Sequence, residues 1–134
     1  MKKLLCLALS ITVVSIGSIS FAAGYYCPSE SEYKAKQDSF MQKISSPSIS
    51  NADFLRISDE NEAYDLSVFK NCLGYLKTTP NPDCSKVSML QNGYFSQLGG
   101  NAAGAKAQIY DALKYIGNKC QVEQSVLKMF LQAN

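Results

Sequence analysis

The residues that most directly promise chemistry are cysteines: Cys27, Cys72, Cys84 and Cys120, with a fifth, Cys6, near the start. The four later ones form an even set at wide intervals. A structural zinc site draws on close pairs such as C-x-x-C, and a dithiol redox centre needs the same spacing; neither is present. In a chain bound for an oxidising compartment, such a set forms disulfides, here two.

Other reactive arrangements are excluded or explained more simply. The chain has no histidine, which removes Ser-His and Cys-His catalysis, H-E-x-x-H zinc sites and any histidine pH switch. Ser31, Ser67 and Ser125 precede Lys34, Lys70 and Lys128 in the S-x-x-K pattern of penicillin-binding enzymes. No Ser-Asp-Asn or Lys-Thr-Gly partner accompanies them, and repeated matches in a small helical chain mark ordinary polar helix faces. Asp59, Glu60, Glu62 and Asp65 are the densest carboxylates, and a glycosidase needs only two. Their expected place in the first turn of a helix accounts for them through the dipole, and without tryptophan there is no sugar-stacking platform of that kind. They make no calcium loop, since the required glycine is Tyr64 and the bidentate glutamate is Lys70. Gly99-Gly100-x-x-x-Gly104-x-Lys106 lacks the preceding strand of a phosphate loop; a close helix crossing suits these glycines better. No cofactor or metal is expected.

The elements that must position these residues begin with a leader. Met1-Lys2-Lys3, the apolar run Leu4 to Ile19, and Ser20-Phe21-Ala22 read as a Sec-type signal peptide, residues 1–22, cleaved before Ala23. Cys6 leaves with it. Taking 22 residues from 134 leaves 112, residues 23–134, enough for a single domain. Lys2 and Lys3 leave too, so 13 basic residues become 11 against 11 acidic ones and the net charge is zero. A nucleic-acid partner is therefore not expected. With no second spanning run, membrane association is not expected after cleavage either.

Capping signals then divide the chain. Ser29-Glu30-Ser31-Glu32 is a capping box opening a helix with Tyr33, Phe40, Met41 and Ile44 on one face, ending before Ser45-Ser46-Pro47. Ser50 to Asp53 open a short separate helix through Phe54 and Leu55. Ser58 caps a longer one whose buried stripe is Leu66, Phe69, Cys72, Leu73 and Leu76. Beyond Pro80-Asn81-Pro82, Asp83 caps a helix striped by Val87, Leu90, Tyr94 and Leu98, with Gly93 weakening its middle by about 1 kcal/mol. Asn101 starts the cleanest 3.6-residue pattern, Ala102, Ala105, Ile109, Ala112, Leu113 and Ile116, closed by Gly117. A last helix from about Cys120 carries Val122, Val126, Met129 and Phe130. No segment alternates with period two, so the fold expected is all-α: a small antiparallel bundle of four to five helices stapled by two disulfides.

In such a bundle all four cysteines fall at one end, and every pairing is sterically open. Loop entropy does not choose, because the sequential and nested pairings each sum to roughly 7 to 8 kcal/mol as an upper bound. The nested form, Cys27–Cys120 with Cys72–Cys84, is preferred because the proline-rich loop can bring Cys72 and Cys84 together.

Eight tyrosines are many for this length. Tyr75, Tyr110 and Tyr115 fall beside the apolar stripes and are the candidate interaction surface, since tyrosine supplies contact area at low entropic cost. Phe69-x-x-Cys72-Leu73-Gly74-Tyr75-Leu76 resembles the Cys-x-Gly-Tyr stretch of small periplasmic helical proteins akin to immunity proteins against secreted amidases. That resemblance implies a small periplasmic helical protein and carries over no site residues; a broader likeness, to small periplasmic acid chaperones, is one of class only: exported, helical and disulfide-bonded. The function expected is a non-enzymatic protein-binding module, periplasmic or extracellular: an inhibitor, an immunity-type protein or a secreted interaction factor. The alternatives are a carboxylate-dependent glycan or cell-wall hydrolase using Glu60, Glu62 or Asp65, and a membrane-surface-active protein inserting its last helix.

Overall fold

The computed structural model describes residues 24–96 and 101–134. The leader at 1–22, together with Leu98, Gly99 and Gly100, lies outside the described residues. Five helices and no strands make up the described chain: α1 (Glu30–Ile44), α2 (Asn51–Thr78), α3 (Ser85–Ser96), α4 (Ala102–Ile116) and α5 (Gln121–Ala133). The all-α bundle with two disulfides is as expected.

Local chemistry sets most of the helix ends. Ser29 and Glu32 form the reciprocal capping box of α1. The Ser50 hydroxyl accepts from the Asp53 amide to start α2, and the Asn101 side chain accepts from the Gly104 amide to start α4. Gly117 closes α4 at φ 55°. Gly104 makes room for the Asn101 cap, since a Cβ there would lie 2.4 Å from the Asn101 side-chain amide; the helix crossing expected of Gly100 and Gly104 falls partly outside the described residues.

One boundary differs from expectation. Residues 50–78 form no short helix followed by a second one capped at Ser58; α2 runs unbroken for 28 residues, about 42 Å. Neither proline nor glycine interrupts the segment around Ser58, and serine inside a helix costs only a few tenths of a kcal/mol. Asp59, Glu60, Glu62 and Asp65 therefore stand in the body of α2, beyond reach of the N-terminal dipole, and Asp53 is the acid in its first turn.

The long helix is the spine. Its C-terminal half gives Val68, Phe69, Cys72, Leu73 and Leu76 to a continuous core completed by Val87, Met89, Leu90 and Tyr94 of α3, the Ile109 face of α4, and Leu127 and Leu131 of α5. Gly93 lets α3 close on α2: a Cβ there would lie 2.3 Å from the Phe69 ring. The N-terminal half of α2 pairs with α1 as an antiparallel hairpin, marked by contacts from Tyr33 and Gln37 to Asp65 and from Phe40 to Tyr64.

The disulfides are Cys27–Cys72 and Cys84–Cys120, the sequential pairing, so the nested preference is overturned. Tyr75, one turn beyond Cys72, is the residue that meets the proline-rich loop: its phenol oxygen accepts from the Asp83 amide at 2.9 Å. Cys84 is joined to Cys120 at the start of α5, and Cys72 to Cys27 in the chain entering α1. The cysteines do gather at one end, where the Tyr25 ring covers Gly74 and the Lys119 ammonium donates to the Pro80 carbonyl. With loops of 45 and 36 residues, each bridge removes about 4 kcal/mol of unfolded-state entropy as an upper bound.

Candidate functional site

The three tyrosines do not share one face. Tyr75 is half-buried against the core and spends its hydroxyl on the loop. Tyr115 is 64 % exposed on α4, with the Lys77 ammonium 5.6 Å from its ring centre. Lys77 also pairs with Asp111 at 2.6 Å and holds that carboxyl below its usual range. Tyr110, five residues before Tyr115 and so about 140° around the helix, borders a separate open groove of about 350 Å³ with Leu113 and Lys128.

An exposed apolar stripe runs along α5. Val122, Val126 and Met129, three of the apolar residues that the last helix carries, are 73 %, 53 % and 62 % exposed, and Phe95 of α3, half-exposed, packs edge-on against Phe130. The buried side is Gln124, Leu127 and Leu131. Gln124 takes its place by satisfying orphan carbonyls of the α4–α5 turn: its amide donates to Gly117 O at 2.8 Å and Lys119 O at 2.7 Å. A polar residue at the centre of the inner face hid that face in the sequence. The cue was the second apolar series, Leu127 and Leu131, at i and i+4.

A different surface lies at the far end of α2. Between α1 and α2 runs a cleft of about 170 Å³, with Phe40, Met41, Ile44 and Ile57 as its apolar side and Ser58, Asn61, Glu62 and Asp65 as its polar side. Asp65 Oδ1 accepts from the Tyr33 hydroxyl at 2.8 Å and the Gln37 amide at 2.7 Å. Burial, reinforced by Asp65, holds the Tyr33 phenol well above its usual range. Asn61 Oδ1 is buried with no hydrogen-bond partner among the described residues. Tyr33 and Tyr64 stack with Phe40 beside them, and Lys36 lies over the Phe40 and Tyr64 rings.

Charge divides the same way. Residues 24–65 carry eight carboxylates against four basic side chains, and residues 66–134 carry three against seven. The overall balance concealed this, although counting each half separately would have shown it.

Little in this arrangement resembles a reaction centre. With no histidine in the chain there is no histidine-based triad. Glu60 is exposed and bound by Arg56 at 2.6 Å, Glu62 is exposed, and Asp65 is engaged by Tyr33 and Gln37. Among the described residues, one group brings metal-type ligands together: Cys84, Cys120 and Glu123, whose ligand atoms lie within 4.8 Å of one another. Both sulfurs are committed to the disulfide, which has no thiolate to offer, so Glu123 alone would supply charge. No helix among the described residues is long and apolar enough to cross a membrane.

No protein-family model matches the chain, and neither the curated proteins nor the solved structures contain a match. The Cys72-Leu73-Gly74-Tyr75 stretch has local structural reasons of its own: a sulfur for Cys27, a seat for the Tyr25 ring and a phenol for Asp83.

Proposed function

We propose that this is an exported, non-enzymatic protein-binding module, acting in the periplasm or outside the cell, whose principal contact is the exposed stripe of α5. The observation that carries this reading is Val122, Val126 and Met129 lying in solvent beside Phe95 on a body fixed by two disulfides. Apolar side chains grouped on a rigid surface recover free energy when a partner covers them, and a rigid surface loses little entropy in doing so.

A photo-reactive amino acid at Val126 of the oxidised protein tests it. The expected result is a crosslink to one envelope or external protein, saturable, competed by unlabelled protein and not by Val126→Asp. The same label at Ser67, exposed on α2, gives none. Capture no better at Val126 than at Ser67, with turnover of a glycan by the same preparation, overturns the reading in favour of the hydrolase.

One observation favours a second reading. The half of the chain that carries α5 has an excess of four basic residues, which suits an anionic lipid surface. Co-sedimentation with anionic but not neutral vesicles, lost in Val126→Asp, would support it.

A further inference from the structure

We propose that the cleft between α1 and the N-terminal half of α2 receives a cationic amphipathic helix of a partner protein. The apolar side chains of that helix would rest on Phe40, Met41 and Ile57, with a lysine or arginine against the exposed carboxylate of Glu62. This rests on the protein-binding reading only in that the occupant is a protein segment; the surface is separate from the α5 stripe.

The chemistry of the walls selects the occupant. On the polar side, Glu62 and Asp65 are carboxylates, so this wall asks for donors and positive charge. Because α2 is continuous, these acids have no dipole to serve. The hairpin's four basic side chains do not neutralise the wall. Lys34 pairs with Asp38, Arg56 spans Asp53 and Glu60, and Lys36 and Lys43 lie over the Phe40 ring. None of them lines the cleft, and no ion pair reaches Glu62 among the described residues.

The dimensions narrow it further. A cleft of about 170 Å³ is smaller than the roughly 300 Å³ at which pockets begin to enclose a drug-sized ligand. It suits an anchoring side chain presented by a larger body. Met41, 56 % exposed on its rim, is an adaptable thioether of the kind found at helix-binding grooves. Two antiparallel helices leave between them the straight apolar furrow that a third helix fills with residues at i, i+3 and i+4.

The probe is a synthetic helix-forming peptide of leucine and lysine, about 18 residues or five turns long. It is titrated into isotopically labelled, oxidised protein by NMR and calorimetry. Two controls accompany it: the same pattern with glutamate for lysine, and a scrambled leucine–lysine peptide with no apolar face. The expected result is one-to-one binding of the first peptide alone, with shifts centred on Met41, Ile57, Asn61 and Glu62 and affinity that falls as salt rises. Glu62→Lys and Met41→Asp, both at exposed positions, each weaken binding by about tenfold or more with thermal unfolding unchanged, and Val126→Asp leaves it intact. Equal binding of either control overturns the proposal, as do shifts centred on α5 and indifference to Glu62→Lys. Self-association of the free protein, abolished by Glu62→Lys, would assign the cleft to a second copy and overturn it equally. The Val126 crosslink survives any of these failures, so the two readings fall separately.

Discussion

The two halves of α2 share one backbone and live in different surroundings. The C-terminal half is packed between α3 and α4, and five of its side chains are buried in the main core. The N-terminal half buries one residue, Ile57, which stands with Phe40 outside that core. It is held by the Ser50 cap, by Arg56 between Asp53 and Glu60, and by its pairing with α1. Exposed pairs of this kind contribute only a few tenths of a kcal/mol each, whereas a buried aromatic contributes several. The difference teaches how this chain spends its hydrophobic residues: one end is locked by core and sulfur, and the other keeps a cleft, exposed apolar groups and unbalanced negative charge.

Substitutions on the two sides should separate that contrast. Phe69→Ala, at the α2–α3 contact, should cost about 3–5 kcal/mol in urea unfolding, against about 0.5 or less for Leu55→Ala on the exposed hairpin. Similar losses at both sites would break the comparison. Removing the Cys27–Cys72 bridge as the double alanine variant should cost up to about 4 kcal/mol, and the cost should appear first as loss of order in α1, because this bridge ties the start of α1 to the body.

The smallest expected effect sharpens the comparison at the α1 cap. The Tyr26 hydroxyl donates to Glu32 at 2.5 Å, the Ser29 amide and hydroxyl also donate to it, and its carboxyl is held down at about 2 from an ordinary 4.5. A lowered carboxyl stabilises the fold fully above its unfolded value, and the contribution is lost as pH falls towards the folded one. The thermal stability gap between the protein and Glu32→Gln should therefore be constant above pH 4.5 and close as pH approaches 2. A gap that persists at the lower limit would mean the cap acts by geometry alone.

Much of this fold was legible because its punctuation is chemical. Ser29, Ser50, Asn101 and Gly117 mark helix ends through their own hydrogen bonds or backbone conformation. What could not be read depended on contacts distant in sequence. Ser58 followed by acids has the form of a cap, and only the absence of a breaker argues for continuity. The disulfide pairing turned on which helix ends the packed bundle brings together, and the inner face of α5 on what Gln124 bonds. The α1–α2 cleft exists only once Met41 and Asn61 come face to face, and its charge was legible only by counting the halves apart.

Native-state hydrogen exchange of the oxidised protein tests the division most directly. Amides of residues 66–76 in α2, with those of α3 and α4, should exchange only through global unfolding, while residues 44–57 exchange through local opening at several kcal/mol less. Uniform protection along α2 would contradict the account.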